Sequence, residues 1–463
     1  MSIHSLPVAL EPLFRTTKLN EPIIIYEGNL TIHSEDSLSL SYSGTVQWNW
    51  LPSPGLIVAA EFQMDHGQQL CAAHKAFFST NTRIEVPGMA AIRMLPTHFD
   101  LGGNITGKLQ GMYYPQDSQD LTELVFHIPN FPNYHGNVIK NGAEGARSGR
   151  IVLDADVWSV IIDNLDITDT LTNSLKEEGG YAITHVGVLK RHDAAPFKLA
   201  DAEALMECLG FFLSFISGRW SPPILWVGKQ FPCLKTVLIV PANLRLNSWK
   251  STDSWCNING IKVADDIRAL FPVFLNRFTN EHELFRLSVS WYLEVLSNKL
   301  VSDSRIILTQ AALELLALSI PPLFGQKAKG KAEHRLRGLF QLLAPSVSLA
   351  VPSSLVRLTA ILDEEPAKSW NKTSAGVADC ASVIVSVRNL IAHPARSAEE
   401  KALLRNTMAL HEASQLGVWF LEIVLLGWLS YSGRYRSRLM RFGWEGEGEH
   451  FPSPSADISP STE

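Results

Sequence analysis

The sequence predicts an α+β chain of more than one domain, in which a β-rich region, a sandwich or an open barrel, precedes an all-helical bundle. Three observations carry this. At 463 residues the chain exceeds what one ordinary core organises. Ahead of residue 200, short β-branched and aromatic runs alternate with Gly and Pro turns. Beyond residue 280, apolar residues recur at helical spacing.

Taken in order, strands are expected over 22–26, 38–42, 46–50 and 56–62, separated by Gly44 and by Pro52-Ser53-Pro54-Gly55. More follow over 83–86, 90–94, 104–112, 121–128, 149–156 and 181–191, with 157–163 continuing a strand and 168–178 helical. Residues 200–216 switch to helical periodicity, and strand-like runs return over 225–228 and 235–240. Trp220, Trp226, Trp249 and Trp255 crowd this stretch; they suit either a stacking platform or core packing, and packing is the commoner use. Helices are expected over 281–299, 302–318, 331–343, 353–362, 373–391 and 398–431, with Ser302 as a plain cap and Pro321-Pro322 ending the second. The domains read as 1–275, β-rich with a break near 200, then 280–441, helical, then 442–463, an acidic, Gly- and Pro-containing tail expected to be disordered.

Composition narrows the function classes. Five cysteines without C-x-x-C spacing point to a reducing cytosol, with neither a disulfide frame nor a zinc site, and His127, His135, His185 and His192 show no ligand spacing. No metal and no cofactor is expected. Residues 416–431 are apolar but short of a bilayer span and interrupted by Glu422, so they read as a buried helix, not a membrane segment. Arg434, Arg436, Arg438 and Arg441 behind it are placed to snorkel or to meet phosphate. The net charge of -6 is uneven: residues 281–441 carry 19 basic against 14 acidic side chains, while 1–280 carry 21 against 27. A basic module on an acidic partner region is compatible with an RNA-facing site. Walker, G-x-S-x-G, H-E-x-x-H and dinucleotide motifs are absent from the sequence.

One string carries chemistry. Arg388-Asn389-Leu390-Ile391-Ala392-His393-Pro394 closes an apolar helical segment, 375–391. Pro394 disfavours the α conformation at His393, so the helix should end at or just before it. An arginine followed by a histidine five or six positions on occurs four times: Arg93 to His98, Arg277 to His282, Arg388 to His393, and Arg405 to His411. Only the third combines a following Asn, an apolar helix and a terminating His-Pro; the fourth, with Asn406, is read as mid-helix. Metal-free RNA cleavage needs a base for the 2′-OH, an acid for the leaving 5′-oxygen and a cation for the phosphorane, which histidine and arginine supply. Their other reading is structural, as helix-end groups packing a seam. Glu314, on an apolar helix, wants a cation, and Arg388 is the obvious one, unless it simply faces solvent. Lys327, Lys329, Lys331, Arg335 and Arg337 form a basic cluster suited to an RNA backbone, although most such loops are merely solvated.

Arg388-Asn389-x-x-x-His393 on a late helix resembles the R-N-x-x-x-H signature of the HEPN superfamily, over roughly residues 280–432. A β-rich region ahead of such a module is similar to the ApeA-like abortive-infection proteins. The resemblance implies a cytoplasmic, metal-independent endoribonuclease of toxin or anti-phage defence type, a hydrolase class active as a homodimer through the helical domain. Arg388 and His393 would be catalytic, Asn389 and Glu314 supporting, and the β-rich region would sense a phage-derived component or small molecule. The alternative it leaves is an inactive HEPN-like module that binds RNA or nucleotide, or dimerises.

Overall fold

A computed structural model describes residues 5–33, 39–61, 82–87, 91–100, 104–110, 120–142, 145–230, 236–239, 245–297, 301–364, 378–393, 404–440, 443–444 and 446–452. The chain forms two compact units. One runs from the N-terminus to Asn133 and adds Asn137–Gly210 and Ser221–Ser251; the other holds Tyr134–Gly136, Phe211–Trp220 and the chain from Thr252 onward.

In the first unit, β1 (Ile23–His33), β2 (Ser39–Asn49), β3 (Gly55–Glu61), β4 (Arg83–Glu85), β5 (Ile92–Phe99) and β6 (Asn104–Gln110) make a closed barrel, in the order β1-β2-β3-β6-β5-β4. The expected sandwich or open barrel is corrected: short β4 pairs with β1 on one side and β5 on the other, leaving no edge. Leu30, Ile32, Tyr42, Val46, Val58, Ile84 and Met94 point inward and fill it. Gly44, read as a turn, lies inside β2. A Cβ there would sit 2.4 Å from Ala59 O, so the glycine admits a close neighbouring strand instead of breaking its own.

Seven further strands, β7 (Leu121–Pro129), β8 (Asn137–Asn141), β9 (Gly145–Ala155), β10 (Trp158–Asn164), β11 (Ile183–Arg191), β12 (Ile224–Gln230) and β13 (Thr236–Ile239), form an antiparallel sheet ordered β13-β12-β7-β11-β10-β9-β8. Helix α1 (Thr168–Glu178) joins β10 to β11, and α2 (Leu199–Ser217) joins β11 to β12. The N-terminal arm, residues 5–20, is fastened to this sheet by buried polar groups. Arg150 grips Asp163 through two bonds and donates to Val8 O at 2.7 Å, while Leu10 N donates to Asp163 Oδ2 at 2.8 Å. His127 Nε2 accepts from Leu13 N at 3.1 Å and Phe14 N at 3.0 Å, and its Nδ1 faces Leu225 O at 3.1 Å. That pattern demands a neutral ring with the proton on Nδ1. Burial agrees, lowering the His127 pKa to about 4.

The second unit is helical: α3 (Val263–Asn280), α4 (His282–Leu296), α5 (Ser302–Leu323), α6 (Ala332–Leu343), α7 (Val356–Glu364), α8 (Cys380–Ala392) and α9 (Thr407–Trp428). It begins ahead of the expected 275–280 boundary, since α3 already starts at Val263, and Pro272 lies inside that helix without ending it. Pro321 and Pro322 likewise fall within α5, which runs on to Leu323. Val301, not Ser302, is the N-cap of α5, and no side chain caps it. Helices α5 and α9 are long and apolar enough to cross a bilayer by length and composition. In the unit, α9 is enclosed by α4, α5, α6, α7 and α8, and its residues Leu416 to Trp428 are all buried. The tail is corrected as well: β14 (Arg434–Tyr435) pairs with β15 (Glu449–His450), and Phe451 packs on Tyr431 and Tyr435. Residues 453–463 lie outside the described residues.

Candidate active site

Helix α8 carries the Arg388 to His393 string, and its two ends are built differently. At the N-terminus Asp379 forms a capping box: Ser382 N donates to Asp379 Oδ1 at 2.8 Å, and Asp379 N donates to Ser382 Oγ at 2.9 Å. Arg337 of α6 reaches the same carboxylate through two bonds. Burial pulls the Asp379 carboxyl up, but the guanidinium and the Ser382 amide outweigh it and hold the pKa below its ordinary value. Eight consecutive residues, Cys380 to Val387, are then buried.

From Arg388 the helix emerges. Arg388, Asn389, Leu390 and Ile391 are half-buried, and Ala392 and His393 are exposed. Arg388 Nη1 donates to Asn389 Oδ1 at 3.0 Å, which fixes one amine of the guanidinium. His393 N still donates to Asn389 O at 3.0 Å, yet its own backbone is extended at φ -123° and ψ 147°. That is the conformation expected of a residue before proline; Pro394 itself lies outside the described residues. The string therefore presents a fixed cation and an accessible imidazole at the surface end of a core helix.

The supporting residues distribute unevenly. Glu314 lies on α5, which packs on α8, but its Oε1 accepts from Gln310 Nε2 at 3.1 Å. Among the described residues no ion pair joins it to Arg388, so the expected Glu314 to Arg388 pairing is corrected. An amide one turn earlier on the same helix satisfies the carboxylate instead. Lys327, Lys329 and Lys331 are exposed on the loop before α6. Arg335 Nη1 folds back onto Gly330 O at 2.7 Å, and Arg337 is committed to Asp379, so neither guanidinium stands free beside the lysines.

The rival pair reads differently from expectation. Arg405 and His411 are exposed, and Asn406 is no mid-helix residue: its Oδ1 accepts from Ala409 N at 3.0 Å and caps α9. Glu422, which seemed to interrupt an apolar run, is 1% exposed and bonded twice by Arg438, with Tyr292 Oη donating to its Oε1 at 2.8 Å. Burial opposes the Arg438 charge, yet the adjacent carboxylate raises its pKa above the ordinary value. Arg438 is thus a core group, not one that meets phosphate. The four tryptophans are likewise packed: Trp220, Trp226, Trp249 and Trp255 are all buried.

Two family profiles match the chain. Residues 116–231 match the family described as the YopA central domain, which spans β7 to β12, and residues 279–449 match the YopA C-terminal domain. The chain is 27% identical to the SPbeta prophage-derived uncharacterized protein YopA of Bacillus subtilis (strain 168), over 97% of this chain and 99% of that protein. No solved structure matches. The YopA C-terminal match contains the whole of α8 and with it Arg388, Asn389 and His393.

Proposed function

We propose that the helical unit is a HEPN-like, metal-independent endoribonuclease that acts in the cytoplasm as a homodimer. The observation that carries this reading is the emergence of Arg388, Asn389 and His393 from an otherwise buried helix. In the reaction the 2′-oxygen of RNA bonds to phosphorus while the bond to the 5′-oxygen breaks. One His393 takes the 2′-OH proton, a second, from the partner copy, protonates the leaving oxygen, and Arg388 offsets charge on the phosphorane. Asn389 holds the guanidinium, and the exposed lysines at 327, 329 and 331 track the backbone. The prophage origin of the Bacillus subtilis relative favours a role in conflict between phage and host, with the barrel and sheet as the sensing part.

The bond between Glu314 and Gln310 favours a second reading, an inactive HEPN-like module that binds RNA or dimerises, because it leaves Arg388 without the expected carboxylate. The purified chain incubated with RNA in EDTA separates the two. Cleavage with 2′,3′-cyclic phosphate ends, by a dimer in light scattering, is expected of the enzyme. Cleavage that requires added magnesium, or none at all, rejects it.

A further inference from the structure

Only half of the most apolar stretch of α5 is buried in the helical unit, against 83% of the corresponding stretch of α9. The uncovered part is widest at the C-terminal end of α5. Leu318 is 50% exposed, Leu323 is 48% exposed, and Pro322 lies open beside them. Helices α5 and α6 pack on each other, so the segment that joins them, 324–331, is the tip of a helical hairpin. Hydrogen bonds fix that tip at both ends. Gly325 takes a left-handed φ of +69°, Gln326 N donates to Pro321 O at 2.9 Å and Gly325 N donates to Pro322 O at 3.1 Å, which closes α5 in a Schellman turn. At the far end Gly330, with φ +87°, accepts at its carbonyl from Arg335 Nη1 at 2.7 Å. Lys327, Lys329 and Lys331 are exposed between these anchors. No acidic residue occurs in the sequence from Leu315 to Lys331, and the next one, Glu333, is buried.

Aliphatic side chains and cations on one tip, with no carboxylate among them, call for a surface that is anionic outside and apolar just beneath. From the juxtaposition of Leu318, Pro322 and Leu323 with the three lysines, we propose that this tip docks on a bilayer surface of anionic lipid. The leucines enter the boundary between headgroups and acyl chains, while the ammonium groups stay among the lipid phosphates. Helix α5 does not cross the bilayer, because its opposite face, with Ile306, Leu313, Leu316 and Ile320, is buried in the unit. An RNA backbone engages the same lysines but offers the leucines nothing. A second copy docked on this face about a two-fold axis brings both sets of lysines together, and like charge opposes it. The surface uses neither Arg388 nor His393 and stands independently of the ribonuclease reading.

Flotation of the full chain with lipid vesicles tests this. Equimolar phosphatidylcholine and phosphatidylglycerol should bind the chain roughly tenfold or more tightly than phosphatidylcholine alone, and added salt should weaken the binding. Replacing all three lysines by glutamine should lower the affinity about a hundredfold. Leu318→Ser with Leu323→Ser should lower it roughly tenfold with the lysines intact, at an unchanged melting temperature because both positions are exposed. Leu323→Ser alone, at the last residue of α5, gives the same readout if the pair does not fold. No binding, or equal binding to neutral vesicles, would overturn the proposal. Full retention by the leucine variants, with RNA displacing the vesicles, would reduce the surface to lysines that meet any phosphate and overturn it too. Leucine variants that turn a dimer into a monomer in light scattering yet still float would give the face to a second copy instead.

Discussion

Replacing His393 by alanine removes an exposed imidazole and nothing that the core uses. Loss of a general acid or base costs about a hundredfold to ten-thousandfold in rate. Arg388→Ala and His393→Ala should therefore abolish RNA cleavage while shifting the melting temperature little. Arg405→Ala and His411→Ala, both at exposed positions, serve as controls and should stay within a few-fold of wild type. Full activity in either 388 or 393 variant would end the catalytic assignment. Glu422 and Arg438 behave in the opposite way. Removing one member of a buried ion pair leaves the other charge uncompensated, at a cost of about 3–5 kcal/mol. Arg438→Met should lower the urea midpoint sharply, and adding Glu422→Gln should restore much of it; a midpoint unchanged by the single substitution contradicts the buried pair. The sequence made His393 legible because a His-Pro step stands out against an apolar helix. Arg438 was not legible, because a cluster of arginines near a helix end looks the same whether it faces solvent or a buried glutamate 16 positions earlier.

Helix α8 is capped and clamped at its buried end and emerges to the surface at the end that carries Arg388 and His393. Asp379 binds both the Ser382 amide and Arg337, so Asp379→Ala should cost about 1–2 kcal/mol through the lost cap, and more through the stranded guanidinium. Hydrogen exchange should report it as faster exchange of the first α8 amides, with Cys380 to Val387 losing protection before α9 does. Equal protection in variant and wild type would mean that the cap does not hold the helix. Ends of elements separated the readable from the unreadable. The C-terminus of α8 follows from local sterics before a proline, whereas its start depends on an arginine 42 positions away. Pro321 and Pro322 misled for the same reason: a local breaker signal was overruled by packing. Gly44 misled in a related way, since its meaning is set by the neighbouring strand and not by its own turn propensity.

At the scale of the molecule the division into a β-rich part and a helical part was legible from periodicity, and closure of the barrel was not, because β4 is a three-residue strand whose partners are far apart in sequence. The buried histidines give the first unit a pH dependence. His127 is neutral when folded, with a pKa lowered to about 4 against an ordinary value near 6.5, so the folded state binds fewer protons than the unfolded chain between these limits. Its contribution is complete above about pH 6.5 and is lost as pH falls toward 4, a change of about 3 kcal/mol. His185, lowered to about 3 by burial, acts in the same direction. Urea unfolding between pH 7 and 4.5 should show stability falling, with a shallower slope in His127→Asn; identical slopes would place the protons elsewhere. The same imidazole sets an order of events during synthesis. Val8 and Leu10 wait for Arg150 and Asp163, Leu13 and Phe14 wait for His127, and the far side of that ring is fixed by Leu225. The arm thus closes only once Leu225, about two hundred residues further along the chain, has been translated and fixes the far side of that ring.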